Sequence, residues 1–301
     1  MAGMRFGLVG TGYWATHTQA AGIARHDEAI LAGVWGRDPD KTRTLAARHG
    51  ATAYPDLDAM FQDVDAVAFA VPPDVQAEIA LRAAEAGKHL LLDKPIALTT
   101  AAADALVDAV DARHLASLVF FTARFEPRIA TFLAEQAEVG GWYAAHGTHY
   151  ASIFRPGNPY GQSAWRKEHG GLWDVGPHAL AAILPLLGPV VDVSAADGPR
   201  QTTHLLLSHA GGAASTISVT IDAAPEAMTN SIAYFGEHGT ATLPNVQRPA
   251  DEVFATAVST LIAQVRAGAT RHPCDVRFGR DTVAILEAAE TARRERRIVA
   301  A

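Results

Sequence analysis

Hydrophobic residues in the first 121 positions form short continuous runs, separated by alanine-rich stretches with helical spacing. The runs are apolar throughout instead of alternating, which is typical of strands buried on both faces of a sheet. Alternation of strand and helix with short connections predicts a doubly wound parallel sheet. The predicted strands are Phe6–Val9, Ile30–Trp35, Ala66–Val71, His89–Leu92 and Leu118–Phe121. The predicted helices are Thr16–Arg25, Asp40–His49, Asp74–Gly87 and Thr100–Arg113. In the third helix, Asp74 is expected to cap the start and Gly87 to stop the end.

The pattern changes after Thr122. A helix is predicted at Pro127–Glu138, a strand at Trp142–Phe154, a turn-rich loop at Arg155–Gln162 and one apolar helix from about Leu172 to Leu187. Later segments of strand character, partly separated by turn residues, predict an antiparallel sheet with one solvent-exposed face. These segments are Val190–Ser194, Thr202–Ser208, Ala214–Ile221, Ser231–Phe235 and Thr240–Leu243. Two helices, Glu252–Ala267 and Gly279–Arg294, follow, and the basic stretch Arg293–Arg297 is expected to be a solvated helix end.

Composition narrows the classes of protein that these elements could form. The 301 residues are 49% hydrophobic and include one cysteine, which argues against disorder and excludes a disulfide scaffold and thiolate-rich metal sites. No apolar run is long enough to cross a bilayer and no signal peptide is evident, so a cytoplasmic location is expected. A formal net charge of −7 without a basic stripe argues against a nucleic-acid partner. The histidines are scattered, and no metal site is expected.

The residues Gly10-Thr11-Gly12-Tyr13-Trp14-Ala15 fit the pattern G-x-G-x-x-G/A between a predicted strand and a predicted helix. The first glycine permits a tight turn, and the second lets the backbone approach a diphosphate. The small Ala15 permits close packing of the helix on the strand. The helix N-terminus then offers N–H groups and a positive dipole end to the phosphates. In this context the motif predicts dinucleotide binding.

The end of the second predicted strand bears on which dinucleotide is bound. An acidic residue there would receive the ribose 2′-hydroxyl of NAD, but the chain has Gly36 at that position, followed by Arg37. An arginine can pair with the 2′-phosphate of NADP. The sequence therefore favours NADP(H), while NAD(H) stays open because Asp38 lies one position further on.

Four further strings, together with the glycine turn, resemble the Gfo/Idh/MocA family of sugar and inositol dehydrogenases, and the resemblance covers nearly the whole chain. They are Val71-Pro72-Pro73, the stretch from Gly87 to Pro95 (GKHLLLDKP), Arg124-Phe125-Glu126-Pro127, and Trp165-Arg166 with the stretch from Gly170 to His178 (GGLWDVGPH). The resemblance implies hydride transfer to or from a nicotinamide. It also implies that Pro95 follows a cis peptide bond.

The resemblance places the family's catalytic residues on Lys94, Asp174 and His178. Lys94 follows an apolar strand at its carboxyl end, where open α/β sheets bind ligands. Asp174 and His178 are four residues apart, so on one helix they would share a face, and an imidazole suits proton transfer near neutral pH. The residues expected at the cofactor are Gly10, Thr11, Gly12, Tyr13, Trp14, Arg37, Val71, Pro72, Lys94, Pro95, Trp165 and Arg166.

Pattern and resemblance together predict an α/β chain with two domains. Residues 1–121 form a doubly wound Rossmann domain that binds the dinucleotide. Residues 122–301 form a C-terminal α+β domain on an open, mostly antiparallel sheet, which binds substrate and makes oligomer contacts. Whether the last helix packs back on the first domain stays open.

The predicted activity is NAD(P)-dependent oxidation or reduction of a secondary alcohol or ketone on a sugar, inositol or related polyol. A homodimer or homotetramer without nucleic-acid or membrane partners is expected. Departures from the family pattern, among them Gln76, are expected to alter the substrate pocket. The alternatives are a reductase of a non-sugar carbonyl, of dihydrodiol or tetrapyrrole type, and a non-catalytic dinucleotide-dependent sensor.

Overall fold

The apolar runs of the N-terminal half form one parallel six-stranded sheet in the computed structural model, which describes residues 3–295. Every residue of the fourth and sixth strands is buried, as expected for strands covered on both faces. The strand order is β3-β2-β1-β4-β5-β6, so the order reverses between β1 and β4, where open sheets of this kind bind ligands. The strands are β1 (Met4–Val9), β2 (Ala29–Trp35), β3 (Thr52–Ala53), β4 (Ala66–Phe69), β5 (His89–Asp93) and β6 (Ser117–Phe120).

Helices connect these strands, and most of them were predicted. The chain passes through a π-helical segment at Ala15–Ala20 before the short helix α1. Strand β3 and helix α3 were not predicted. A two-residue edge strand carries almost no sequence pattern. The helices are α1 (Ala21–Ala24), α2 (Pro39–His49), α3 (Leu57–Asp63), α4 (Pro73–Glu85) and α5 (Thr100–Ala112).

The capping prediction for α4 is half right. Asp74 is not the N-cap: Pro72 holds that position, the helix begins at Pro73, and Asp74 lies in the first turn without a capping hydrogen bond. A proline suits the first helical position, because its fixed φ is helical and its missing N–H would have had no acceptor. Gly87 follows the helix with a φ of +76°, which confirms it as the residue that stops the helix.

The C-terminal half contains a second six-stranded sheet with the order β12-β11-β7-β10-β9-β8. The pairs are antiparallel except for β7 with β10, so the expectation of a mostly antiparallel sheet is confirmed. Helix α8 packs on one face of this sheet, against β7, β10 and β11. The elements are α6 (Pro127–Val139), β7 (Trp142–Tyr150), α7 (Ala164–Asp174), α8 (Gly176–Leu187), β8 (Val190–Gly198), β9 (Thr202–His209), β10 (Ala214–Thr220), β11 (Thr229–Gly236) and β12 (Gly239–Thr242).

The single helix predicted from Leu172 to Leu187 is in fact two. Helix α7 ends at Asp174, Val175 forms the junction, and α8 starts at Gly176. Pro177 explains the break, since it has no N–H to continue the hydrogen-bond pattern of the preceding turn. A φ of +64° at Gly170 also interrupts α7. The prediction that Asp174 and His178 share one helix is therefore wrong.

The last two helices are α9 (Ala250–Arg266) and α10 (Val276–Glu295). The chain clusters into two compact units: the described residues up to Glu126 with Arg248–Val283, and Pro127–Gln247 with the described residues from Ala284 onward. The sequence pattern assigned Arg248–Val283 to the C-terminal domain, whereas in the structure they belong to the same compact unit as the N-terminal residues. The end of the basic stretch, from residue 296, lies outside the described residues. No helix within residues 3–295 combines the length and hydropathy needed to cross a membrane.

Candidate active site

The glycine turn after β1 is shaped by two glycines in different ways. Gly10 has a φ of +126°, and a Cβ there would lie 2.5 Å from the carbonyl oxygen of Ala70, so only glycine fits. A Cβ at Gly12 would meet no atom within 4 Å. The N–H of Thr16 donates to the carbonyl of Gly12 at 3.0 Å, so a helical turn begins there. The first N–H groups of a helix favour an anion. This turn therefore fits the diphosphate of a dinucleotide.

The aromatic residues of the turn have different surroundings. Tyr13 is 50% exposed, and its ring lies 4.3 Å from that of His17, centroid to centroid. Trp14 is half-buried, with its ring 6.4 Å from that of Phe120. Tyr13 is therefore the more accessible of the two to a ligand.

The residues after β2 bear on the choice between NADP(H) and NAD(H). A Cβ at Gly36 would lie 2.6 Å from the side chain of Thr11, so an acidic residue there would need that side chain to move. Asp38 is the N-cap of α2, and its Oδ1 accepts the N–H groups of Asp40 at 3.0 Å and Lys41 at 3.1 Å. These bonds hold the pKa of Asp38 below its usual value, the bond from Lys41 most strongly. The Asp38 carboxylate is therefore engaged in capping α2.

Arg37 is exposed and has no hydrogen bond or ion pair to other residues in the range 3–295. Its guanidinium is therefore available to a ligand, unlike the capping oxygen of Asp38. The capping role of Asp38 could have been predicted from the sequence, because Asp-Pro at the start of a helix is typical of an N-cap followed by the first helical position.

Lys94 directly follows β5, and the Lys94–Pro95 peptide bond is cis, as the resemblance implies. Lys94 is half-buried, and its backbone N–H donates to Oδ1 of Asp93 at 2.8 Å. Val71 and Pro72 follow β4, the strand between β1 and β5. The residues after β1, β2, β4 and β5 therefore share the carboxyl edge of one sheet, and this edge gathers the cofactor residues predicted in the first unit.

Gln76 fixes the backbone on both sides of Lys94. Its Nε2 donates to the carbonyl oxygens of Asp93 at 2.8 Å and Pro95 at 3.1 Å, and its Oε1 accepts the Asp93 N–H at 2.8 Å. The side chain is fully buried, at 0% exposure. The role of Gln76 in holding this turn was missed, and its expected effect on the substrate pocket stays a prediction.

Asp174 and His178 belong to the second unit, whereas Lys94 belongs to the first. Asp174 is buried at the end of α7, and His178 is half-buried in the first turn of α8. The imidazole of His149, on β7, lies near that of His178, with ring centroids 5.9 Å apart. The second unit thus carries a carboxylate and a pair of imidazoles around the α7–α8 junction.

Comparison with known proteins decides the family. Residues 4–121 match the GFO_IDH_MocA model, described as an oxidoreductase family with an NAD-binding Rossmann fold. Residues 4–121 belong to the Gfo/Idh/MocA family. The predicted family and the prediction of an oxidoreductase are thereby confirmed.

Relatives of this protein include two dehydrogenases. UDP-N-acetylglucosamine 3-dehydrogenase of Acidithiobacillus ferrooxidans is 34% identical over 43% of this chain and 40% of its own length. The NADP(+)-dependent scyllo-inositol 2-dehydrogenase of Bacillus subtilis is 25% identical over 82% of this chain and 77% of its own.

A solved structure shows that the fold extends beyond the matched region. The WlbA dehydrogenase from Bordetella pertussis, in complex with NADH and UDP-GlcNAcA, superimposes with a TM-score of 0.84 over 98% of this chain and 96% of its own, at 24% identity. The two-part α/β fold of this Gfo/Idh/MocA chain is thus shared along nearly its whole length.

The two remaining candidates in this Gfo/Idh/MocA chain, Trp165 and Arg166, lie in α7 of the second unit. Nε of Arg166 lies 2.9 Å from Oδ2 of Asp174. The guanidinium carbon is 4.8 Å from the ring centroid of Trp165 and 4.8 Å from that of Tyr160. Tyr160 was not predicted, because it lies in a loop whose pattern indicates only turns.

The described residues were also compared with the arrangements that bind metal ions or provide a reactive thiol. Among residues 3–295, no group of three or more histidine, cysteine, aspartate or glutamate side chains is arranged to hold a metal ion. Cys274 is buried, and burial raises the pKa of its thiol to about 11. A protonated, buried thiol is a poor nucleophile.

Proposed function

We propose that this Gfo/Idh/MocA oxidoreductase interconverts a secondary alcohol and a ketone on a sugar, an inositol or a related polyol. The observation that carries the proposal is the placement of Lys94 at the carboxyl end of β5, on the same sheet edge as the glycine turn. A site at that edge gives one lysine access to both a dinucleotide and its substrate. The named relatives that act on inositols and nucleotide-linked sugars support the substrate class.

The roles of the side chains follow from their chemistry. Bound dinucleotide supplies the group that accepts or donates the hydride. Lys94 donates a hydrogen bond to the reacting oxygen and holds it in place. His178 takes the hydroxyl proton during oxidation or returns it during reduction. Asp174 orients the substrate through a hydroxyl group.

The residues that would hold the dinucleotide fit it. The turn from Gly10 to Trp14 offers helix N–H groups to the diphosphate, and the backbone at Gly12 leaves room for its close approach. Pro72 and Pro95 follow the neighbouring strands at the same edge. These contacts fix the cofactor's position and leave the proton transfer to the catalytic side chains.

NADP(H) is the proposed preferred cofactor, and NAD(H) the alternative. The support is that Arg37 has no partner among residues 3–295, whereas Asp38 caps α2. A charge-assisted hydrogen bond contributes about 1.5–3 kcal/mol, which corresponds to roughly 10- to 100-fold in affinity. Arg37→Ala should therefore weaken NADPH binding about tenfold or more and change NADH binding little.

The experiment mixes purified protein with NADPH or NADH and a panel of inositols, aldoses, ketoses and nucleotide-linked sugars. Lys94→Ala should abolish turnover while leaving much of the dinucleotide affinity. Arg43→Ala is the matched control for Arg37→Ala, because Arg43 lies in α2, is also exposed, and is already paired with Asp40. Tight cofactor binding without turnover on any substrate would overturn the proposal and favour the sensor.

A homodimer or homotetramer is the proposed assembly. One face of the second sheet is open, and the row Ser194, Leu206, Thr216, His146 and Ala233 crosses it without a carboxylate, lysine or arginine. Leu206 in this row is 50% exposed. Light scattering after size exclusion should report two or four chains, and Leu206→Asp should reduce that number.

A further inference from the structure

Arg166 is held on three sides by groups of its own unit. Its Nε donates to Oδ2 of Asp174 at 2.9 Å, and its guanidinium lies over the rings of Tyr160 and Trp165 at 4.8 Å each. The side chains of Arg166 and Asp174 are only 21% and 9% exposed. Two aromatic faces and one carboxylate therefore fix the direction of this guanidinium more tightly than an exposed ion pair would.

The pairing matters most to Asp174. A buried carboxylate without a cationic partner tends to take up a proton, and its orientation is then set by whatever donor is near. An arginine on Oδ2 favours the ionised form of the carboxylate, which only accepts hydrogen bonds. An acceptor with a fixed direction is what orientation of a substrate hydroxyl requires.

We propose that Arg166 is a positioning residue that keeps the Asp174 carboxylate ionised and fixed in direction, instead of a residue that clamps the cofactor. The catalytic part of this proposal rests on the proposed function, in which Asp174 orients the substrate. Arg166 acts on the reaction through Asp174.

The elements packed against α7 carry titratable groups of their own. Helix α8 and strands β9 and β10 pack against α7. Among them, α8 carries His178, β9 carries His204 and His209, and β10 carries no titratable side chain. His204 is bonded to Ser218, and both ring nitrogens of His209 have partners, in Gly188 and Ser215. On α10, Glu290 accepts the indole N–H of Trp173, the neighbour of Asp174.

The test uses variants of the full chain. Arg166→Met removes the charge but keeps the bulk between the rings, and Arg166→Lys keeps the charge but loses the planar, directed donor. Lys167→Met is the matched control, because Lys167 is the next residue, is exposed, and has a side chain that donates to Gln162 at 3.4 Å. If Arg166→Met fails to fold, Arg166→Gln, which also removes the charge, replaces it in both measurements.

The first measurement needs no turnover. Carboxyl ¹³C NMR follows the titration of Asp174, with its signal assigned by its loss in Asp174→Asn. The titration midpoint should rise by at least about one pH unit in Arg166→Met and stay unchanged in Lys167→Met. An unchanged midpoint in Arg166→Met would overturn the proposal whether or not the protein is a dehydrogenase.

The second measurement separates positioning from cofactor binding. NADPH affinity, followed by fluorescence, should change less than about twofold in Arg166→Met, while kcat falls about 100-fold. Guanidinium ion at low concentration should restore part of kcat in Arg166→Ala, where equal urea does not. If NADPH binding weakens by about tenfold or more, Arg166 binds the cofactor and the positioning proposal is wrong. If the wild-type protein turns over no substrate, the proposed function fails but the Arg166 proposal does not. The titration of Asp174 tests that proposal without turnover.

Discussion

Replacement of Gln76 by methionine tests how strongly the turn around Lys94 is held. The two side chains have similar length and volume, so the change removes hydrogen bonds with little change in packing. Three are lost: Nε2 to the carbonyls of Asp93 and Pro95, and the Asp93 N–H to Oε1, at 2.8, 3.1 and 2.8 Å. The site is fully buried, so water cannot replace them.

The expected loss follows from these contacts. A protein hydrogen bond contributes about 1 kcal/mol net, so three give about 3 kcal/mol. The Asp93 N–H left without its acceptor adds a desolvation cost, and about 3–5 kcal/mol is the expected decrease in the free energy of unfolding. Gln76→Glu should not rescue it, since a carboxylate accepts from the Asp93 N–H but donates to neither carbonyl.

The assay is urea unfolding followed by far-ultraviolet circular dichroism. Gln264→Met is the matched control, because Gln264 is also a buried glutamine but donates a single bond, to the carbonyl of Arg271 at 3.3 Å. Its loss should be about 1 kcal/mol or less. If the two variants agree within about 0.5 kcal/mol, the idea that Gln76 holds the turn is refuted.

Three further predictions concern the same unit. Gly10→Ala should destabilise the protein by about 1–3 kcal/mol because of its positive φ, whereas Gly12→Ala should leave the unfolding curve unchanged and weaken dinucleotide binding. Burial lowers the pKa of His89 and His272 below 6.5, and each Nδ1 accepts a backbone N–H. The two neutral imidazoles therefore contribute their full stabilisation of the fold above pH 6.5, and this contribution decreases as the pH falls toward the lowered folded-state pKa. The urea midpoint should be lower at about pH 5 than at about pH 7.5. Cys274, with a pKa near 11, should resist a thiol reagent at about pH 8 until the chain unfolds.

Each of these has an outcome that contradicts it. Equal unfolding curves for the two alanine variants would show that the turn tolerates a Cβ at both positions. A urea midpoint that does not change with pH would show that the two imidazoles are as easily protonated in the folded chain as in the unfolded one. Labelling of the native thiol at the rate of a free cysteine would show that it is accessible.

The sequence by itself determined the features that depend on neighbouring residues. Continuous apolar runs predicted buried parallel strands, and glycines with the spacing of Gly10 and Gly12 predicted the phosphate-binding turn. Gly87 was correctly predicted to stop a helix, since a left-handed residue after a helix is a local requirement. The string around Lys94 was specific enough to indicate the family that the comparisons confirm.

Tertiary structure decided what depends on residues far apart in the chain. Gln76 is 17 residues from Asp93, and it reaches the backbone on both sides of Lys94 only because α4 packs beside β5. Arg166 meets Asp174 because α7 brings them together across its break at Gly170. A side-chain hydrogen bond needs a partner at about 3 Å in a defined direction, and no pattern along the chain specifies that partner. The sequence therefore determined the elements and the family, and the fold determined which polar side chains hold the catalytic candidates in place.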